Sequence, residues 1–253
     1  MPNKRKNAGL LLILAALPIF AASCAQARAA APSGDYTAVA GEVVQAVSVA
    51  EEDTTYDRPS VTIDTDDWRL LLVNPWNPIP EDYDTPTLTQ LINGQAIDER
   101  CYPDLQEMMD DCRAEGLNPL ICSSYRTWQT QEELFENRVQ RLIAEGYDEE
   151  TARTEAGTVV AVPGTSEHQL GLAVDIVDIS NQNLNERQAD TAVQKWLMEH
   201  SWEYGWILRY PSGKSEITGI IYEPWHYRYV GREAAGAIYK QGVCLEEYLD
   251  AAD

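Results

Sequence analysis

Asp175 stands inside an apolar run, with Leu172-Ala173-Val174 before it and Ile176-Val177 after it. The alternation reads as a strand carrying Leu172, Val174 and Ile176 on one face and Ala173, Asp175 and Val177 on the other. A carboxylate placed in such a strand is costly unless a positive group meets it. The fold must therefore bring a cation or a cationic side chain to this point. His168 is one of only three histidines in the 253 residues and lies seven positions upstream. Gly171 between them lets the chain bend as a turn becomes a strand.

A second histidine, His226, closes Glu223-Pro224-Trp225-His226. Two imidazoles and a carboxylate with one open position are how a catalytic zinc is held. Each signal alone is weak, because a lone histidine near an apolar run is more often packing than ligand. Glu-x-x-His cannot lie within a helix here, since Pro224 would break it. On a straight strand Glu223 and His226 would face opposite sides, so a bulge or twist near Pro224 is expected.

The rest of the chain supports a single mixed domain. Residues 102–115 have helical period, with Pro103 in the first turn and Gly116 as stop, followed by a strand ending at Cys122. Leu134, Phe135, Val139, Leu142 and Ile143 mark a second helix, and another starts near Asp148. Residues 190–204 read as helix and Trp206 to Tyr210 as strand. ITGIIYEPWHYRYV reads as a strand interrupted at Pro224, and Arg232 to Lys240 as a last helix. There is no regular βαβ rhythm, which favours α+β with a small, mostly antiparallel sheet and helices packed on it.

The N-terminus carries Lys4-Arg5-Lys6, an apolar stretch from Leu10 to Phe20 and small residues through Ala31, the pattern of an export signal. Two exits are legible: Ala21-Ala22-Ser23-Cys24, which resembles a lipoprotein box and would lipidate Cys24, and Ala27-Arg28-Ala29. A retained anchor is a third possibility. Contact with the membrane is expected only through this segment. Residues 32–67 hold nine Asp or Glu against one basic residue, Arg58, and read as an acidic, disordered linker. Residues 68–250 remain as the catalytic domain, expected to be monomeric. A net charge of −22 argues against nucleic acid as a partner.

Export permits disulfides among Cys101, Cys112, Cys122 and Cys244. Cys101 and Cys112 lie about 16 Å apart along one helix, beyond reach. The returning strand could bring Cys122 near Cys101, and that pair is the preferred bridge; free buried thiols are the alternative. His200 shares a helical face with Val193, Trp196 and Leu197 and reads as packing. Trp206 and Trp225 read as core or pocket wall. Arg209 stays open between ion pair and substrate contact.

Taken together, the motifs resemble those of the VanY-type D-alanyl-D-alanine carboxypeptidases. Ser166-Glu167-His168-Gln169-Leu170-Gly171-Leu172-Ala173-Val174-Asp175 is similar to the family's Ser-x-His-x-x-Gly-x-Ala-x-Asp, and Glu223-Pro224-Trp225-His226 to its Glu-x-Trp-His. Ser124-Tyr125-Arg126-Thr127 with Gln131 resembles its Ser-Gly-Tyr-Arg-Ser segment, with Ser124 replacing a glycine and Thr127 a serine. The resemblance implies the α+β fold shared with lysostaphin and hedgehog zinc domains and a peptidoglycan stem peptide as substrate. It implies zinc on His168, Asp175 and His226, with Glu223 as general base. Arg126 would hold substrate negative charge, and Ser124, Gln131 and Ser166 would be lesser pocket residues. An L,D-carboxypeptidase, an endopeptidase and a non-catalytic zinc-stabilised wall-binding module are the alternatives. A serine enzyme is disfavoured, because no serine lies three positions before a lysine.

Overall fold

The computed structural model describes residues 67–250; Cys24, the segment read as an export signal and nearly all of the segment read as an acidic linker lie outside them. A hairpin of β1 (Leu88–Gln90) and β2 (Ala96–Asp98) leads into α1 (Tyr102–Ala114) and β3 (Pro119–Ser123). Two helices follow, α2 (Trp128–Ala144) and α3 (Glu149–Gly157), then β4 (Ala173–Asp178), α4 (Ala192–His200) and β5 (Trp206–Leu208). The chain ends in α5 (Ser215–Thr218), β6 (His226–Tyr229), α6 (Arg232–Gln241) and α7 (Leu245–Asp250). The main sheet is antiparallel throughout, in the order β3-β4-β6-β5. This is the α+β architecture expected from the element pattern.

The sheet has two unlike faces. Leu172, Val174, Ile176, Trp206, Tyr227 and Tyr229 belong to the main core, packed with Leu105, Met108 and Met109 of α1 and Val193 and Leu197 of α4. By alternation the opposite face presents Asp175, His226, Arg228 and Ile207. Part of it is covered by α6 and α7, which pack Ala235, Ile238 and Leu245 against Ile207 and Val230. The rest holds the polar site. A third cluster joins α2 to α3 through Phe135, Val139, Leu142, Ala152 and Ala156.

Local chemistry accounts for the element ends. Thr127 caps α2 by accepting from the Thr130 amide, and Asp148 caps α3 by accepting from Thr151. Gly171 adopts φ 72° between the 3-10 turn Glu167–Leu170 and β4, a conformation that disfavours any side chain.

Five expectations are corrected. The segment read as a strand from Ile217 is a helical turn, α5, and an irregular stretch; regular pairing begins only at His226. Instead of a bulge, a turn closed by the His226 amide donating to Glu223 O (3.2 Å) precedes the strand. Cys101, Cys112, Cys122 and Cys244 are all free thiols. The two thiols face different carbonyls: Cys101 is turned to Asp98 O and Cys122 to Asp175 O. Leu134 is 41% exposed rather than on the buried face of α2, which is formed by Gln131, Phe135, Val139 and Leu142. His200 ends α4 half-exposed, resting on Trp196 with Nδ1 2.9 Å from Glu203 Oε1, so it takes no part in the Val193 and Leu197 packing of the core.

Candidate metal centre

Three neighbouring strands bring the site to one level. Ser123 of β3 pairs with Asp175 of β4, and Asp175 pairs with His226 of β6. The 3-10 turn ahead of β4 delivers His168 to the same point. His168 Nε2 lies 3.3 Å from Asp175 Oδ2, and His226 Nδ1 lies 3.1 Å from Asp175 Oδ1. All three side chains are buried. One ligand atom from each lies within 4.8 Å of the others.

The set fits a zinc ion by donor chemistry and by spacing. Zinc takes nitrogen and oxygen donors at about 2 Å, and tetrahedral bonds of that length put neighbouring donors roughly 3.3 Å apart. The second nitrogen of each imidazole is occupied elsewhere. His168 Nδ1 is 2.8 Å from the Ser124 carbonyl, and His226 Nε2 is 3.4 Å from Glu167 Oε2. With protons on those outer nitrogens, His168 Nε2 and His226 Nδ1 turn lone pairs inward, as metal ligands need.

Arg126 gives Asp175 a cationic neighbour as well. Its Nη2 donates to Asp175 Oδ2 at 3.0 Å, Nε and Nη2 donate to Ser123 Oγ, and Nη1 donates to Gln131 Oε1. Ser166 lines the cleft beside His168, whereas Ser124 and Gln131 lie behind it. Ser124 Oγ ties β2 to the site by accepting from the Ala96 amide and donating to Gln95, and Gln131 Nε2 donates to Ala161 O. Glu223 enters from the turn before β6, its Oε2 3.8 Å from His226 Nδ1.

Without a metal, the ionisable groups are strongly perturbed. Burial raises the Glu223 carboxyl to about 8, above the usual carboxylate range. Burial, then the Arg126 charge, lowers His168 to about 4. For His226 burial opposes protonation, but the hydrogen bonds to Asp175 and Glu167 outweigh it and raise the ring to about 9. A cation on Nδ1 of His226 competes with that proton and also favours the ionised form of Glu223.

The centre lies in a cleft of about 410 Å³. Its walls are largely apolar: Leu134, Val160, Leu184, Ile220 and Trp225, with Tyr210 close to the His226 ring at a centroid distance of 4.8 Å. Trp225 is thus pocket wall, whereas Trp206 belongs to the main core.

Sequence reasoning missed Glu167. It is fully buried and pairs with Arg209 at 2.7 Å and Arg228 at 2.8 Å. Arg209 is therefore an ion-pair residue and not a substrate contact; its guanidinium also binds Glu246 of α7 through two nitrogens. The available signal was Arg228 in the aromatic strand HYRY, which calls for a buried acid somewhere.

A sequence profile of the D-alanyl-D-alanine carboxypeptidase (VanY) family matches residues 94–232. A D-alanyl-D-alanine carboxypeptidase of Enterococcus faecalis is 53% identical over 188 residues, covering 74% of this chain and 68% of that protein. The chain belongs to the VanY family. Among solved structures, VanYB in complex with D-alanine-D-alanine is 51% identical with a TM-score of 0.67, covering 74% of this chain and 99% of that one. A mutant of a vancomycin resistance D,D-pentapeptidase VanY from a VanB-type cassette, in complex with Zn(II), is 52% identical with a TM-score of 0.65, covering 72% and 99%. Among the described residues, no helix is long and apolar enough to cross a membrane.

Proposed function

We propose that this protein is a zinc-dependent D-alanyl-D-alanine carboxypeptidase that removes the terminal D-alanine from peptidoglycan stem peptides. The observation that carries the reading is the buried His168, Asp175 and His226 set, with both outer imidazole nitrogens engaged and Glu223 alongside. Membership of a family whose relatives include a Zn(II) complex and a D-alanine-D-alanine complex supports it.

Zinc bound by these three residues supplies Lewis acidity, activating water and polarising the scissile carbonyl. Glu223 takes the proton of the attacking water and passes it to the leaving amine. Its buried position beside His226 suits that exchange: burial raises the proton affinity of the carboxyl, and a cation at His226 offsets that rise. Arg126 is anchored by Ser123 and Gln131 and directs positive charge at the reacting centre, toward the substrate's terminal carboxylate or the developing oxyanion. Ser166 contributes a hydroxyl at the cleft wall, and the apolar walls receive the alanine methyl groups. Ser124 and Gln131 act from behind, holding His168 and Arg126. A structural metal would need no carboxylate base, so Glu223 speaks against a non-catalytic wall-binding module.

The Lys4-Arg5-Lys6 start and the apolar run after it support export to the cell envelope. Release there is through either exit, with Cys24 as the lipid-bearing alternative, and residues 68–250 act as a monomeric catalytic domain.

The decisive experiment incubates zinc-loaded protein with stem pentapeptide and tetrapeptide and identifies products by mass spectrometry. D-Alanine release from the pentapeptide, abolished by chelation and restored by zinc, is expected. Cleavage of the tetrapeptide alone would make the enzyme an L,D-carboxypeptidase, and no cleavage of either would defeat the carboxypeptidase reading.

A further inference from the structure

We infer that Glu167 is a positioning residue for the metal: its carboxylate holds the outer nitrogen of His226, fixing the tautomer and orientation that turn Nδ1 to the ion. The inference rests on the reading of His168, Asp175 and His226 as the zinc ligands.

The two oxygens of Glu167 have different partners. Oε1 accepts from Arg209 Nε at 2.7 Å and from Arg228 Nη1 at 2.8 Å. Among the described residues, Oε2 has one hydrogen-bond partner, His226 Nε2 at 3.4 Å. Glu167 is fully buried, so solvent cannot satisfy Oε2 in place of the imidazole. Two guanidiniums keep the carboxylate ionised, and they are fixed in turn. Arg228 Nη2 donates to the Arg69 and Leu71 carbonyls, and its Nε donates to Tyr229 O. Arg209 grips Glu246 of α7, which also accepts from Asn74. The orientation of one metal ligand thus depends on a rigid charge array reaching the last helix and the segment before β1.

Stability alone is a poor reason for this array. Burying four charged side chains costs desolvation that an apolar cluster of equal volume would avoid. A carboxylate behind a ligating imidazole, by contrast, raises its basicity and locks the ring. Glu167 also precedes His168 in the same 3-10 turn, so one turn of chain delivers one ligand and the support of the other.

The test uses Glu167→Gln, which keeps shape but removes the charge. In the metal-free variant, zinc affinity is measured by competition with a chromophoric chelator. It should weaken by about 10- to 100-fold, the usual effect of losing such a partner. Val139→Ala, a core truncation between α2 and α3, should lower stability and leave zinc affinity unchanged, which separates positioning from general destabilisation. A reading independent of any variant is the nitrogen NMR of His226 in zinc-loaded wild-type protein. Protonated Nε2 with metal-bound Nδ1 is expected. Metal on Nε2, or a folded Glu167→Gln protein with wild-type zinc affinity, would overturn the inference. Both readouts need no peptide, so failure to release D-alanine leaves this test standing.

Discussion

At the scale of single residues, the proposed site separates holding a metal from using it. His168, Asp175 and His226 converge on one point, whereas Glu223 Oε2 stands 3.8 Å from His226 Nδ1 as a neighbour of the cluster. Glu223→Gln should therefore retain about one zinc per chain by elemental analysis. D-Alanine release should fall by about 10²- to 10⁴-fold, the usual contribution of a positioned acid or base. Loss of zinc in that variant would make Glu223 a ligand. Arg126 makes a different prediction. Its guanidinium reaches Ser123, Gln131 and Asp175 at once, a geometry that a lysine ammonium on a flexible stem cannot reproduce. Arg126→Lys should keep fold and zinc but lose most of kcat/KM on the pentapeptide. Unchanged kinetics would reduce Arg126 to a support of Asp175.

At the scale of elements, the site depends on two short turns feeding two strands. The turn Glu167–Leu170 ends at Gly171, where a Cβ would lie 3.3 Å from both the Asp98 amide nitrogen and Leu88 Cδ2. With φ 72° as well, Gly171→Ala should cost about 1–2 kcal/mol for the left-handed backbone alone. Because the turn carries His168 and Glu167, zinc affinity should fall with the melting temperature. A variant as stable as wild type would show that the turn relaxes freely. The turn before β6 was the less legible of the two. Pro224 signalled an interruption, but a proline removes a donor without saying what replaces the strand. The His226 amide bond to Glu223 O supplied the answer, and it lets Glu223 approach the ring of His226.

At the scale of the whole molecule, the four cysteines test how the elements pack. Burial raises the thiols of Cys101, Cys112, Cys122 and Cys244 above their ordinary range, which slows reaction in the folded state. Unfolding without reductant should make all four alkylatable, read by mass spectrometry. A pair protected from alkylation at Cys101 and Cys122 would restore the bridge inferred from chain length. The sequence by itself determined the α+β class and the helices α1 to α3, and it singled out His168, Asp175 and His226 as the candidate metal-binding set, because these rest on local periodicity and on residue order within short motifs. Asp175 in an apolar run required compensation wherever the chain went. Which cationic side chains meet the buried acids was decided only by tertiary structure: Arg126 reaches Asp175 across 49 residues of chain. Glu167 meets Arg209 and Arg228 across 42 and 61 residues of chain, and Arg209 meets Glu246 across 37. Such pairings leave no period or spacing in the sequence, since electrostatic attraction acts on distance in space and the fold alone sets that distance.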